Sequence, residues 1–273
     1  MTDLRRRPVG AAPMSSFVAS LRPRPRPDLP VKPDGLTWEQ ERRWRQERLA
    51  GALRIFARLG YEEHLTGHIS VRDPELPDHL WLNPLGRAFG RIRVSDLILV
   101  APRGQVVHGD GRASLTAHTI HRHILADRPA TMAVAHAHSV YGKALAVTGE
   151  PLHPITQDSC MFYEDNVVVP FEGIARGPEE GARIARCLGS HRVAVLANHG
   201  LLTTGGSVEE AAALYVVAER AAKTQILAAA AGPLTLIDPE LARANHDQAR
   251  GDGSTLFLNL WEEIVNDQPD LLL

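Results

Sequence analysis

Cysteine is scarce in this sequence: Cys160 and Cys187 are its two examples in 273 residues, and they show no short-range pairing pattern. That argues against a disulfide-built fold and makes a reducing, cytoplasmic setting the expectation. Long apolar runs are also missing. The nearest candidate, around Ala228–Ala231, is weakly apolar and belongs to an alanine-rich helical stretch, so no membrane span is expected. An excess of charge of either sign is lacking too. The formal net charge is -2, which gives no basis for a nucleic-acid partner held by overall charge. The hydrophobic fraction of 44% is ordinary for a globular chain.

Proline and arginine are present in excess, but locally. The run Arg22-Pro23-Arg24-Pro25-Arg26-Pro27 dominates a segment with few core-forming residues. Residues 1–35 are therefore expected to form a disordered or extended arm. Ser16–Leu21 is too short an apolar centre for a secretory signal; an arginine-rich transit peptide is the alternative to a plain tail. Residues 36–273 are expected to form one domain.

Within that domain, Thr37 and Gln40 have capping-box spacing, and Leu49, Leu53, Phe56 and Leu59 recur at helical spacing up to Gly60. Leu65–Val71, Leu80–Asn83 and Val167–Pro170 read as strands, and Leu97–Val100 with Gln105–Val107 as a hairpin around Pro102-Arg103-Gly104. Ser114–Asp127, Val140–Val147 and Pro178–Leu188 read as helices, and Ser207 and Glu210 cap a last one reaching about Ala231. Interleaved helices and strands with hairpin signals predict an α/β fold with a mixed sheet.

The sharpest chemical signal is a pair of histidines one residue apart, His136 and His138, closing the run Met132–Ala135. Strand side chains alternate with period two, so both imidazoles face one side and can reach one ion. His199 ends a second run, Val193–Ala197, and can complete a three-nitrogen site with open coordination positions, which suits catalysis better than structure. Gln157, Asp158 and Glu164 are polar candidates for orienting a ligand imidazole, each with a solvated-loop role as its simpler reading.

These residues resemble the class II aldolase/adducin family from about Glu39 to Gly232. Thr66-Gly67-His68-Ile69-Ser70 is similar to the family's substrate loop, and Arg128-Pro129 precedes the His136-x-His138 strand. Thr156-Gln157-Asp158 and Phe162-Tyr163-Glu164-Asp165 follow, and Asn198-His199-Gly200-Leu201-Leu202 looks like the third-ligand motif. The resemblance implies a three-layer α/β/α fold around a mixed, mainly antiparallel sheet. It also implies a divalent metal on His136, His138 and His199, and a homotetramer with sites between subunits.

The departures narrow the function. Sugar-phosphate aldolases of the family carry an acidic proton-transfer residue four positions before a histidine that matches His121; here that position is Ala117. Their phosphate-facing asparagine and serines are matched by His68, Leu115 and Thr116. A phosphorylated sugar is thus not the expected substrate. The family also includes non-heme iron oxygenases of aminocoumarin antibiotic pathways, which oxidatively decarboxylate a prenylated hydroxyphenylpyruvate to the hydroxybenzoate. The leading expectation is this chemistry, with Fe(II), dioxygen and an aryl 2-oxo or 2-hydroxy acid. The alternatives are a non-oxidative Zn2+ aldolase or lyase on an unphosphorylated substrate, and a non-catalytic adducin-like interaction domain. Tyr163, Glu164 and His121 are the candidate proton-transfer groups, and His68, Ser70 and Gln157 the candidate substrate contacts.

Overall fold

The structure is a computed structural model that describes residues 32–64, 66–174, 177–249 and 253–273. The arm expected over 1–35 lies outside these residues up to 31, as does Leu65. Asp34–Leu273 form a compact unit.

Helix α1 (Trp38–Arg58) opens on the expected capping box: Thr37 Oγ1 accepts the Gln40 N–H and Gln40 Oε1 accepts the Thr37 N–H. Four short strands follow, β1 (His68–Arg72), β2 (Leu80–Leu82), β3 (Ile98–Val100) and β4 (Val106–His108). Next come α2 (Leu115–Asp127), β5 (Ala133–Ala137), α3 (Val140–Thr148), β6 (Asn166–Val169) and α4 (Pro178–Leu188). The chain continues through β7 (Val193–Leu196), β8 (Gly200–Gly205) and α5 (Val208–Ala231), then α6 (Pro239–Ala249) and α7 (Gly253–Asp267).

The strands form one sheet in the order β4-β3-β2-β1-β5-β8-β7-β6. Every neighbouring pair is antiparallel except β6–β7, so the sheet is mixed and mainly antiparallel, as expected. Period-two alternation sorts its side chains into two cores. Ile69, Val71, Ala133, Ala135, Val193 and Val195 pack with Leu53 and Phe56 of α1, Tyr215 of α5 and Trp261 of α7. Leu82, Ile98, Val134, Ala194 and Leu202 pack with Ile120 and Ile124 of α2 and Leu188 of α4. Two helical layers enclosing one sheet make the α/β/α architecture.

Four elements differ from the sequence reading. Strand β8 was not expected, because Gly200 and Gly205 bracket it and read as turns. Helices α6 and α7 lie beyond Ala231, where no helix was expected. Strand β1 begins at His68 rather than at Leu65, because Gly67 with φ 93° ends the loop before it.

Candidate metal centre

The alternation that builds the cores also places the histidines. Ile69 and Val71 face α1, so His68 and Ser70 face α2, and His136 shares that side with Val134. In the antiparallel register of β1 and β5, His68 sits directly opposite His136. Gly67 lets the preceding loop lie against β5: a Cβ there would stand 3.3 Å from both the Ala137 Cα and the His136 carbonyl oxygen. His138 follows the end of β5. His199 does not end a strand but sits in the tight turn between β7 and β8, where Asn198 takes the left-handed conformation (φ 56°) that a short hairpin loop requires.

The three imidazoles converge. Their ligand atoms all lie within 4.8 Å of one another, and His138 Nε2 and His199 Nε2 stand 3.0 Å apart. His136 Nδ1 lies 2.8 Å from the Leu201 carbonyl oxygen. A carbonyl only accepts, so Nδ1 carries the hydrogen and Nε2 keeps its lone pair for an ion. The group that orients His136 is thus a backbone carbonyl from β8 rather than one of the candidates Gln157, Asp158 and Glu164. Burial pushes the His136 pKa well below its ordinary value, with His199, His68 and His138 adding to the effect. Burial lowers His199 to about 4, and lowers His138 too, against the opposing pull of Glu63. Neutral imidazoles are what a metal ligand set needs, so the donor set fits a divalent ion.

A cavity of about 300 Å³ opens over this cluster, with Thr66, His68, Thr116, Phe171 and Ile174 among its walls. His68 Nδ1 lies 2.9 Å from His121 Nε2, and His121 Nδ1 lies 2.7 Å from Ser70 Oγ. Two of the candidate site residues, His121 and Ser70, therefore sit behind a third, His68, which faces the cavity. Ala117 packs into the α2 core one turn before His121, and among the described residues no carboxylate lines the cavity. The ion pair of Lys143 with Glu63 beside His138 carries no sequence signal, because nothing in the spacing ties either residue to the histidines.

The structure does not bring Tyr163, Glu164 or Gln157 to this cavity. Glu164 pairs with Arg243 of α6 at 2.9 Å, and the Arg243 guanidinium lies over the Tyr163 ring. Gln157 and Asp158 line a separate surface cavity with Arg220 and Asn245. All four lie between α3 and β6, where the 3-10 turn Asp158–Phe162 packs on α5 and α6.

Comparison with known proteins decides the lineage. A family model described as the Class II Aldolase and Adducin N-terminal domain matches residues 47–226. The chain belongs to this family. Among its class II aldolase/adducin relatives, "Decarboxylase NovR" of Streptomyces niveus is 38% identical over 240 residues, covering 86% of this chain and 89% of the relative. A "4-hydroxy-3-prenylphenylpyruvate oxygenase/4-hydroxy-3-prenylbenzoate synthase" of Streptomyces roseochromogenus subsp. oscitans is also 38% identical, over 86% of this chain and 87% of its own. Among solved structures, an L-fuculose 1-phosphate aldolase from Glaciozyma antarctica superposes with a TM-score of 0.81 at 37% identity, covering 88% of this chain and 96% of that one. The class II aldolase fold is therefore shared by relatives whose names describe different chemistries. Among the described residues, no helix of this member is long and apolar enough to cross a membrane.

Proposed function

We propose that this chain is an Fe(II)-dependent enzyme that cleaves the C–C bond beside a carbonyl, by oxidative decarboxylation of an aryl 2-oxo or 2-hydroxy acid. The prenylated hydroxyphenylpyruvate-to-hydroxybenzoate conversion is its type. The observation that carries the reading is a converged set of three imidazoles in a chain with Ala117 at the position where a sugar-phosphate aldolase needs a carboxylate. The names of the two Streptomyces relatives support it.

His136, His138 and His199 would hold the ion, with His136 aimed by the Leu201 carbonyl. His138 Nε2 and His199 Nε2, 3.0 Å apart, are close enough to share one ion. When bound, Fe(II) supplies electrons to dioxygen and open positions for the acid's carboxylate and 2-oxo group. The protein does the rest. Phe171 and Ile174, 52% and 65% exposed at the cavity, offer an apolar wall to an aryl group. Among the described residues the lining holds no Lys or Arg to receive a phosphate. Tyr163, Glu164 and Gln157 do not line the cavity of their own chain, so they enter this chemistry only across an interface of the homotetramer that the resemblance implies.

Anaerobic purification, metal analysis and addition of an aryl 2-oxo acid with and without dioxygen test the proposal. Iron content with oxygen-dependent release of carbon dioxide is expected. The likeness to the fuculose phosphate aldolase favours a second reading, a zinc lyase on an unphosphorylated carbonyl acid. Turnover with zinc and no oxygen would replace the first reading with that one. A chain that takes up no metal would point to an adducin-like interaction role.

A further inference from the structure

Three buried groups behind the cavity form a linear series: Ser70 Oγ, the two nitrogens of His121, and His68 Nδ1, joined at 2.7 and 2.9 Å. Ser70, His121 and His68 are each at most 5% exposed. A neutral imidazole carries one N–H, so the series has only two consistent hydrogen patterns. In the first, His68 Nδ1–H donates to His121 Nε2 and His121 Nδ1–H donates to Ser70 Oγ. His68 then shows a bare Nε2 lone pair to the cavity. In the second, Ser70 O–H donates to His121 Nδ1 and His121 Nε2–H donates to His68 Nδ1. His68 then shows an Nε2–H.

The surroundings choose between them. Among the described residues Ser70 Oγ has no hydrogen-bond partner other than His121. The first pattern would bury the serine hydroxyl hydrogen with nothing to receive it, and a buried unmet donor is costly. The second uses every buried donor, and the one N–H left over is the one that faces the cavity. The 2.9 Å contact between the rings leaves room for one hydrogen between Nδ1 and Nε2, and the series includes no acidic group, so each ring is read with a single N–H.

We propose that Ser70 and His121 are positioning residues that lock His68 as a neutral Nε2–H donor, an oxygen-recognising group for the carboxylate or 2-oxo oxygen of a carbonyl acid. The assignment of the acid rests on the function proposed above; the lock itself does not. No proton leaves the series: His68 works as a fixed donor, and it needs no carboxylate at Ala117.

Long-range ¹H–¹⁵N spectra of imidazoles in the metal-free protein at neutral pH test the lock directly. Both His68 and His121 are expected to carry their hydrogen on Nε2. A hydrogen on His68 Nδ1 in the native protein overturns the proposal. In Ser70→Ala the His68 Nδ1–H form is expected to emerge, and Ser70→Thr, which restores a hydroxyl, is expected to return the native pattern. An unchanged pattern in a folded Ser70→Ala protein overturns the role of Ser70. Anaerobic binding of phenylpyruvate to the metal-loaded protein tests the donor. His68→Phe is expected to weaken it about tenfold and Ser70→Ala about threefold. Unaltered affinity in His68→Phe overturns the recognition role. Native protein that shows both Nε2–H forms yet binds no phenylpyruvate counts against the proposed substrate class and supports the lock.

Discussion

Strand β1 connects two buried polar clusters built on opposite terms. Past its C-terminal end, Asp73 is fully buried and fully answered. It receives hydrogen bonds from Arg42 at 2.7 and 3.1 Å, from Trp81 Nε1 at 2.7 Å and from the N–H groups of Glu75 and Leu76. Burial alone would push this carboxyl up, but Arg42 and the N–H donors outweigh it and hold it at about 2. At the N-terminal end, His68, His121 and His136 crowd together with no opposite charge among them, and burial pushes all three pKa values down. One end stabilises a charge by compensating it. The other prevents charge from forming. The first arrangement serves the fold. The second keeps lone pairs and N–H groups available at the cost of acid tolerance, as a functional site requires.

Substitutions at either end should undo this contrast in different ways. His199→Ala removes one of three convergent donors, and about a thousandfold loss of metal affinity is expected by titration against a competing chelator. Because His199 lies in a turn, the metal-free variant is expected to unfold within a few degrees of the parent. Full metal occupancy in the variant would remove His199 from the site. At the other end, Asp73→Ala strands the Trp81 N–H and the buried side of Arg42, and a loss of about 3 kcal/mol is expected in denaturant melts. A loss under about 1 kcal/mol would mean that water replaces the carboxylate.

Acid should separate the two ends. The unfolded chain protonates its histidines near their ordinary value of about 6.5, while the folded rings stay neutral to lower pH. Stability of the metal-free protein is therefore complete above about 6.5 and falls as pH drops below it, by about 1.4 kcal/mol per unit for each ring that stays neutral. For His199 that decline ends near its folded value of about 4. Asp73 contributes its stability above its unfolded value and loses it only as pH falls toward about 2. Denaturation curves from about pH 7 to about pH 5 should thus slope in the parent and slope less in His121→Asn. Equal slopes would remove His121 from the neutral cluster. The smallest effect is at Ser114, whose Oγ caps α2 by accepting the Ala117 N–H. Ser114→Ala is expected to cost about 1 kcal/mol in the same melts.

Sequence periodicity made the metal pair legible, because His136 and His138 differ by two along a strand and need no knowledge of the fold. Capping chemistry did the same for Thr37 and Ser207, whose side chains accept the N–H three residues ahead. Strand β8 was hidden because burial on both faces leaves Gly200–Gly205 no alternation to read, and its glycines read as a turn. The link from His68 to His121 was hidden for a different reason. It depends on the register of β1 against β5 and on how α2 lies across them, and neither is written in local spacing. Tyr163 and Glu164 show the limit of a motif, since the turn over α5 and α6 carries them away from the cavity of their own chain.

The hairpin of β7 and β8 has a consequence for how the site can fail. Its turn presents His199, and two residues later its Leu201 carbonyl steers His136. A one-residue slip of β8 against β5 would withdraw the third imidazole and misdirect the first in the same motion. The centre has no half-built form along that coordinate. It behaves as a latch whose two catches are cut from one hairpin, so a partly assembled sheet would offer an ion almost no hold.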